Sequence, residues 1–512
     1  MKADRVAFLP RTIQLFLPIW LVGPLILSAA QPTSLVGEAE ALLRQGDLNG
    51  AKRLLDTGTG QGQLSGAARA LRAQIALLED DLATMEKQLR LALRGDSKIP
   101  SVRTTYGHYL LREGDFDAAE REFLKSLKLN PKQAWALVGL GRLALSQGRP
   151  RDALAKFEDA AQLDPSMEDA YFYSSEAYGA IQDVPNQIAS LERYLALKPK
   201  WHPTRAQNAE GLLQFFKSLD YRAGLARIQD LSRAYEVEFQ PFFGLMIVEG
   251  FVNGEGPFRF LVDTGATSTV LSEALLKELK IPSLATATVK CVGGDGTIRT
   301  QMSRLDRFKL GDLEIKDLPV ASFDNTIFAE LIDGVVSTAD LSRFLITLDY
   351  PDHRILLTPR PEDTAKKHSL PERSSERIKF RTLGNLVLVP VALNQTQSRN
   401  FLLDTGAVMS TLSKRQASLL GVNDSTPNSR VDLQFAGACG VTQSVLSVEN
   451  VELGIRQFKQ QYAQILAVEL KEISREIQTE VSGIVGSDFL SRYRVTIDYD
   501  AATLLLESET SR

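Results

Sequence analysis

The chain is poor in the residues on which much enzyme chemistry depends. Its 512 residues hold four histidines (His108, His202, His353, His368), well separated, and two cysteines, Cys291 and Cys439. Zinc fingers, cysteine-rich secreted scaffolds and most histidine-dependent triads are thereby excluded. Charge of one sign is also lacking: 59 Lys and Arg stand against 63 Asp and Glu, a net charge of −4. That balance carries no basic footprint for nucleic acid. No G-x-S-x-G, Walker or H-E-x-x-H motif occurs, so the chemistry must come from carboxylates, hydroxyls or backbone, with no metal and no cofactor expected.

Long apolar runs are confined to the start. Lys2, Arg5 and Arg11 precede an apolar stretch from Ile13 to Leu27 and the small residues Ser28-Ala29-Ala30. This order reads as a signal peptide over 1–30, which predicts an exported chain, periplasmic or extracellular. Read instead as an uncleaved membrane anchor, the run is short for the ~20 residues of a span and is broken by Pro18 and Pro24. An oxidising compartment permits a disulfide between Cys291 and Cys439, but spacing alone does not bring them together.

Residues 31–218 are rich in Ala, Leu, Glu and Arg with helical spacing of apolar positions. Pro131, Pro165 and Pro199 recur every 34 residues, and Gly107/Gly141, Gly114/Gly148, Ala119/Ala153 and Phe123/Phe157 keep the same interval. Small residues let two antiparallel helices approach, the aromatic fills the space between them, and proline stops the second helix. This pattern resembles the tetratricopeptide repeat. The resemblance implies an all-α superhelix with a concave face for a peptide or protein partner. Degenerate helix pairs are expected at 35–57 and 65–95, and a closing helix at 204–218.

After a connection at 219–235 the texture becomes alternating β. "GPFRFLVDTGATSTVLS" ends a strand at Asp263, and "SRNFLLDTGAVMSTLS" ends one at Asp404. Downstream, 333–357 matches 482–506, with Leu341-Ser342-Arg343-Phe344 against Leu490-Ser491-Arg492-Tyr493 and Asp349-Tyr350 against Asp498-Tyr499. A duplicated β fold follows, with one lobe at 236–360, a polar linker at 361–375 and a second lobe at 376–508. Two carboxylates brought together at a two-fold axis cannot both ionise and share one proton. The ionised one can take a proton from water while the protonated one polarises a carbonyl. Gly265 and Gly406 allow the sharp turn under the carboxylates, and Thr264 and Thr405 are suited to bond across the axis.

In these motifs the second half resembles the retropepsin-like aspartic proteases, duplicated in one chain. The resemblance implies that Asp263 and Asp404 are the catalytic pair. It also implies a second signature of two apolar residues and a glycine, matched by Ile484-Val485-Gly486 and, with serine in place of glycine, by Val335-Val336-Ser337. Flap hairpins are expected around Gly293 and Gly294 in the first lobe and Gly437 and Gly440 in the second. Two functions follow: an exported aspartic endopeptidase whose helical repeats position substrate or partner, or a non-catalytic peptide- or protein-binding scaffold with a degenerate protease-like half. Membrane association enters only if the N-terminal segment is retained.

Overall fold

The computed structural model describes residues 34–508 apart from 58–63, 220–224, 291–296, 324–330, 361–376, 432–434, 438–439 and 443. The expected signal peptide, both cysteines, Gly293, Gly294 and the polar linker lie outside the described residues.

The first part is helical: α1 (Leu35–Gln45), α2 (Leu48–Thr57), α3 (Gly66–Leu78), α4 (Leu82–Asp96), α5 (Pro100–Arg112), α6 (Phe116–Leu129), α7 (Ala134–Ser146), α8 (Pro150–Leu163), α9 (Glu168–Ala180), α10 (Val184–Ala196) and α11 (Pro203–Ser218). Helices start where an aspartate can satisfy the orphan N–H groups of a first turn. Asp81, Asp115 and Asp183 accept from the backbone N–H of Thr84, Ala118 and Asn186. α6, α8 and α10 end just before Pro131, Pro165 and Pro199. Within the stack the fully buried Phe123 lies between Gly107 and Gly139, where an added Cβ would sit 2.5 and 2.3 Å from its ring. The periodic glycines are thus sites of close helix approach.

The second part is built from β-sheets. A nine-stranded sheet contains the strands Leu245–Val252, Glu255–Asp263 and Gly334–Ser337. An eight-stranded sheet contains their counterparts Leu386–Leu393, Arg399–Leu403 and Gly483–Val485. A six-stranded sheet joins the two lobes, because Phe344–Asp349 pairs antiparallel with Tyr493–Asp498. Apolar side chains from both lobes, among them Phe260, Leu348, Phe401 and Ile497, form one continuous buried cluster. The two copies therefore share a core as well as a sheet.

The stretch 219–235, read above as a connection, contains structure of its own. Arg227–Ile228 forms a strand on Leu313–Phe323, and the Arg227 guanidinium pairs with Asp317. Backbone pairing and this ion pair draw the segment onto the first lobe, which local composition does not signal.

The helical array is docked on both lobes. On the first, the Asn208 side chain of α11 accepts from Thr288 N–H at 2.8 Å, along the strand Ala285–Lys290. On the second, the buried Arg112 donates to Asp80 at 3.1 Å and faces Glu480 at 3.6 Å, while Arg475 donates to Asp80 at 2.6 Å. Glu480 N–H also donates to Arg112 O at 2.8 Å, and Arg415 bonds Glu113.

Candidate active site

A parallel strand pairing within each lobe places its Asp-Thr-Gly turn. Glu255–Asp263 runs beside Gly334–Ser337, placing Ser337 next to Asp263. Arg399–Leu403 runs beside Gly483–Val485, and Asp404 N–H donates to Val485 O at 3.0 Å. The apolar pairs of the second signature, Val335-Val336 and Ile484-Val485, are thus the strands against which the aspartate-bearing strands are laid.

Thr264 and Thr405 lock the turns to each other. Each hydroxyl accepts the other's backbone N–H at 3.1 Å, and they donate to Leu403 O at 2.6 Å and Val262 O at 2.9 Å respectively. Beyond them, Asp263 Oδ1 accepts from Gly265 N–H at 2.6 Å and Gly406 N–H at 3.1 Å. Asp404 Oδ1 accepts from Gly406 N–H at 2.9 Å. A Cβ on Gly265 would lie 2.7 Å from the Asp404 carboxyl carbon, and one on Gly406 2.6 Å from that of Asp263. Only glycine lets the two carboxyl groups converge.

The Gly406 N–H is thus shared by the two carboxyls, which lie close enough for the charge on one to act on the other. Burial raises both above the ordinary aspartate range. Asp404 rises further, because the Asp263 charge beside it disfavours a second one. For Asp263 the backbone N–H groups of Gly265 and Gly406 oppose the rise, favouring its ionised form. Backbone N–H groups oppose the rise at both acids, Gly406 and Ala407 serving Asp404, so the pair as a unit favours one proton and one negative charge.

Ser337, the departure from the glycine of the second copy, fits its place. Its Oγ donates to Ala266 O at 2.6 Å and accepts from Ala339 N–H at 3.1 Å, so the hydroxyl ties the first turn to the signature strand. At the corresponding Gly486 a Cβ would meet Met409 backbone at 2.6 Å and Ala407 O at 2.9 Å. The two lobes solve the same contact differently.

Sequence reasoning missed the supports of each turn. Thr269 donates to Asp340 through both its N–H (2.8 Å) and hydroxyl (2.7 Å), and its Oγ1 accepts from Ser337 N–H at 3.2 Å. Ser410 does the same with Asp488 (2.8 and 2.7 Å) and Gly486 N–H (3.0 Å). The acids occupy neighbouring, not identical, places in the aligned copies, which hid the equivalence. Tyr350 and Tyr499, read only as markers of duplication, are buried where they feel the Asp263 charge. Tyr499 shares a 2.7 Å hydroxyl bond with Thr338, whereas the buried Tyr350 hydroxyl has no hydrogen-bond partner among the described residues.

Asp263, Gly265, Asp404 and Gly406 line a cavity of about 2070 Å³. The candidate flap of the second lobe is a hairpin of Phe435–Gly437 and Gly440–Thr442, in which Gly437 pairs with Gly440, and Gly437 lines the same cavity. In the first lobe Ala285–Lys290 and Thr297–Leu310 form the corresponding hairpin, with Thr288, Val289, Ile298 and Thr300 on the cavity.

A family model for aspartyl proteases matches residues 248–340 and 389–489, and tetratricopeptide-repeat models match 106–168, 138–200 and 32–57. The chain carries a retropepsin-like aspartyl protease domain in two copies behind a tetratricopeptide-repeat region. Similar solved structures include one titled for Pseudomonas aeruginosa pilF, 18% identical, covering 36% of this chain and 82% of that one with a TM-score of 0.28. The Cut9–Hcn1 hetero-tetramer of APC/C gives 16% identity, 36% of each chain and a TM-score of 0.31. MamA gives 16% identity, 31% of this chain, 94% of that one and a TM-score of 0.24. No curated protein matches the chain.

Proposed function

We propose that the protein is an exported aspartic endopeptidase that hydrolyses peptide bonds with an activated water. The observation that carries this reading is the convergence of Asp263 and Asp404 on the Gly406 N–H, both carboxyls lining one cavity. In the proposed reaction the Asp263 carboxylate takes a proton from a water held between the two acids, and that water attacks the peptide carbonyl carbon. The protonated Asp404 hydrogen-bonds the carbonyl oxygen and gives up its proton as negative charge develops there. Proton return to the leaving nitrogen then breaks the C–N bond. No covalent enzyme intermediate is needed.

The repeats support a second element of the proposal, recruitment of a polypeptide partner or substrate. Export rests on the charged, apolar and small-residue order of residues 1–30.

The test is cleavage of a diverse peptide library by the purified mature chain between acidic and neutral pH, against Asp263→Asn and Asp404→Asn. Cleavage by the wild type alone is the expected result. Peptide binding with no cleavage by any of the three would support the non-catalytic scaffold instead.

A further inference from the structure

The cavity above the dyad is walled by two different domains. Its lining takes in both Asp-Thr-Gly turns and, from the helical array, Arg142 on α7, Tyr173 and Glu176 on α9 and Arg205 and Leu212 on α11. The array is held there from both ends, by Asn208 on the first lobe and by the Arg112 cluster on the second. At about 2070 Å³ the space is at least twice the roughly 300–1,000 Å³ of a pocket for a drug-sized ligand. It has room for several residues of extended chain lying across the dyad.

Two arginines of the array face this space, and their situations differ. Arg205 is committed: it donates to Asp169 Oδ1 at 2.8 Å and to the Tyr173 hydroxyl at 3.3 Å, and lies over the Phe172 ring at 4.3 Å. Arg142 is half-buried and lies over the Tyr173 ring at 4.8 Å, with no ion pair among the described residues. The acids whose fields reach it do not pair with it. Asp169 is bound to Arg205, and burial pushes the Glu176 carboxyl up to about 7. A cation over an aromatic face keeps its charge and its outward N–H edges available.

We propose that the concave face of the array is the remote part of the substrate chamber, and that Arg142 binds an acidic side chain of an extended polypeptide lying across the dyad. The proposal rests on the protease reading of Asp263 and Asp404 and assigns Arg142 as a specificity-determining residue. A guanidinium presents a planar fork that a carboxylate matches with two hydrogen bonds. Stacking on Tyr173 fixes that fork in advance, and the partly water-excluded chamber strengthens the attraction.

The experiment compares peptides in which Glu, or isosteric Gln, is scanned through a neutral Ala, Leu and Ser background. Cleavage by the wild type is expected to favour Glu over Gln by roughly tenfold at one fixed distance from the scissile bond, the size of a charge-assisted hydrogen bond. Arg142→Gln should lose that ratio, and Arg142→Glu should shift the preference to Lys at the same position. A ratio within one preparation is insensitive to partial loss of fold. An unchanged ratio in Arg142→Gln overturns the proposal. A second arm reads binding of the same labelled peptides to Asp404→Asn by fluorescence anisotropy, with and without Arg142→Gln. If the wild type cleaves nothing but Asp404→Asn prefers the Glu peptide through Arg142, the protease reading fails and the subsite stands. If binding shows no charge preference, the subsite fails whatever the dyad does.

Discussion

Thr347 and Thr496 share a hydroxyl–hydroxyl hydrogen bond of 3.0 Å, and each is the other's counterpart, 149 residues away, in the duplicated sequence. They face each other where Phe344–Asp349 pairs with Tyr493–Asp498. A residue that pairs with its own copy lies on the axis relating the copies. Thr264 and Thr405, 141 residues apart, mark the same axis beneath the dyad.

Both axial threonines of the central sheet are buried. Thr347→Val alone leaves the Thr496 hydroxyl without its partner and should cost roughly 1–3 kcal/mol. Adding Thr496→Val replaces a polar pair by an apolar pair of similar shape and should recover most of that loss. Denaturant unfolding of the two single variants and the double variant measures the cycle; additive losses would contradict it.

The dyad predicts opposite effects on activity and stability. Asp404 is raised by burial and by Asp263, so its protonated form contributes stability at low pH, and that contribution is lost as pH rises through the raised value. Asp404→Asn keeps a neutral hydrogen-bonding side chain at every pH. It should therefore abolish cleavage yet raise the unfolding temperature at neutral pH, by roughly 2–4 °C for each ~1 kcal/mol relieved. Near pH 3 the gain should vanish. Thermal unfolding followed at both pH values decides it.

The pH profile of cleavage should be bell-shaped. Its acid limb falls when Asp263 gains a proton and no base remains. Its alkaline limb falls when Asp404 loses its proton and nothing polarises the carbonyl. kcat/KM measured across acidic and neutral pH should show both limbs; a single limb would remove one of the two roles.

Ser337 and Gly486 occupy matching positions but should not be interchangeable. Ser337→Ala strands the Ala266 carbonyl and the Ala339 N–H, at a cost of roughly 1–3 kcal/mol. Gly486→Ser drives a Cβ into the Met409 and Ala407 backbone and should cost more, with loss of cleavage. Urea midpoints and turnover of the two variants give the comparison.

Docking of the array depends on a charge cluster that should be intolerant of subtraction. Arg112 is almost fully buried between Asp80 and Glu480. Arg112→Ala removes the buried cation between them, leaving Asp80 to Arg475 and Glu480 to Arg415, and should cost roughly 1–3 kcal/mol. Denaturant unfolding of the full chain, compared with the wild type, reads the loss.

The repeats and the duplication were legible because both are written as intervals. Prolines every 34 residues and the two Asp-Thr-Gly turns need no tertiary information to be recognised. The threonine bonds across the axis could be inferred because the motif places them beside the aspartates. The supports at Thr269 and Ser410 could not, since Asp340 and Asp488 are out of step in the alignment. The wall above the dyad was likewise illegible. Asp80 and Arg112 are brought to Arg475 and Glu480 from more than three hundred residues away, and no local pattern marks Arg142 as lining the same cavity as Asp263.

Joining the two copies in one sheet and one chain has a consequence for how such a site can change. In an assembly of two identical subunits every substitution is made twice, so a change that suits one side of the axis must be tolerated by the other. Here each position is inherited separately. Serine serves one turn and glycine the other, and Tyr499 bonds Thr338 while Tyr350 bonds no counterpart among the described residues. Asp263 and Asp404, though they began as copies, sit in unequal surroundings: Asp263 accepts from both Gly265 and Gly406, Asp404 from its own Gly406. Covalent duplication turns an equivalence imposed by symmetry into a division of labour that selection can adjust one residue at a time.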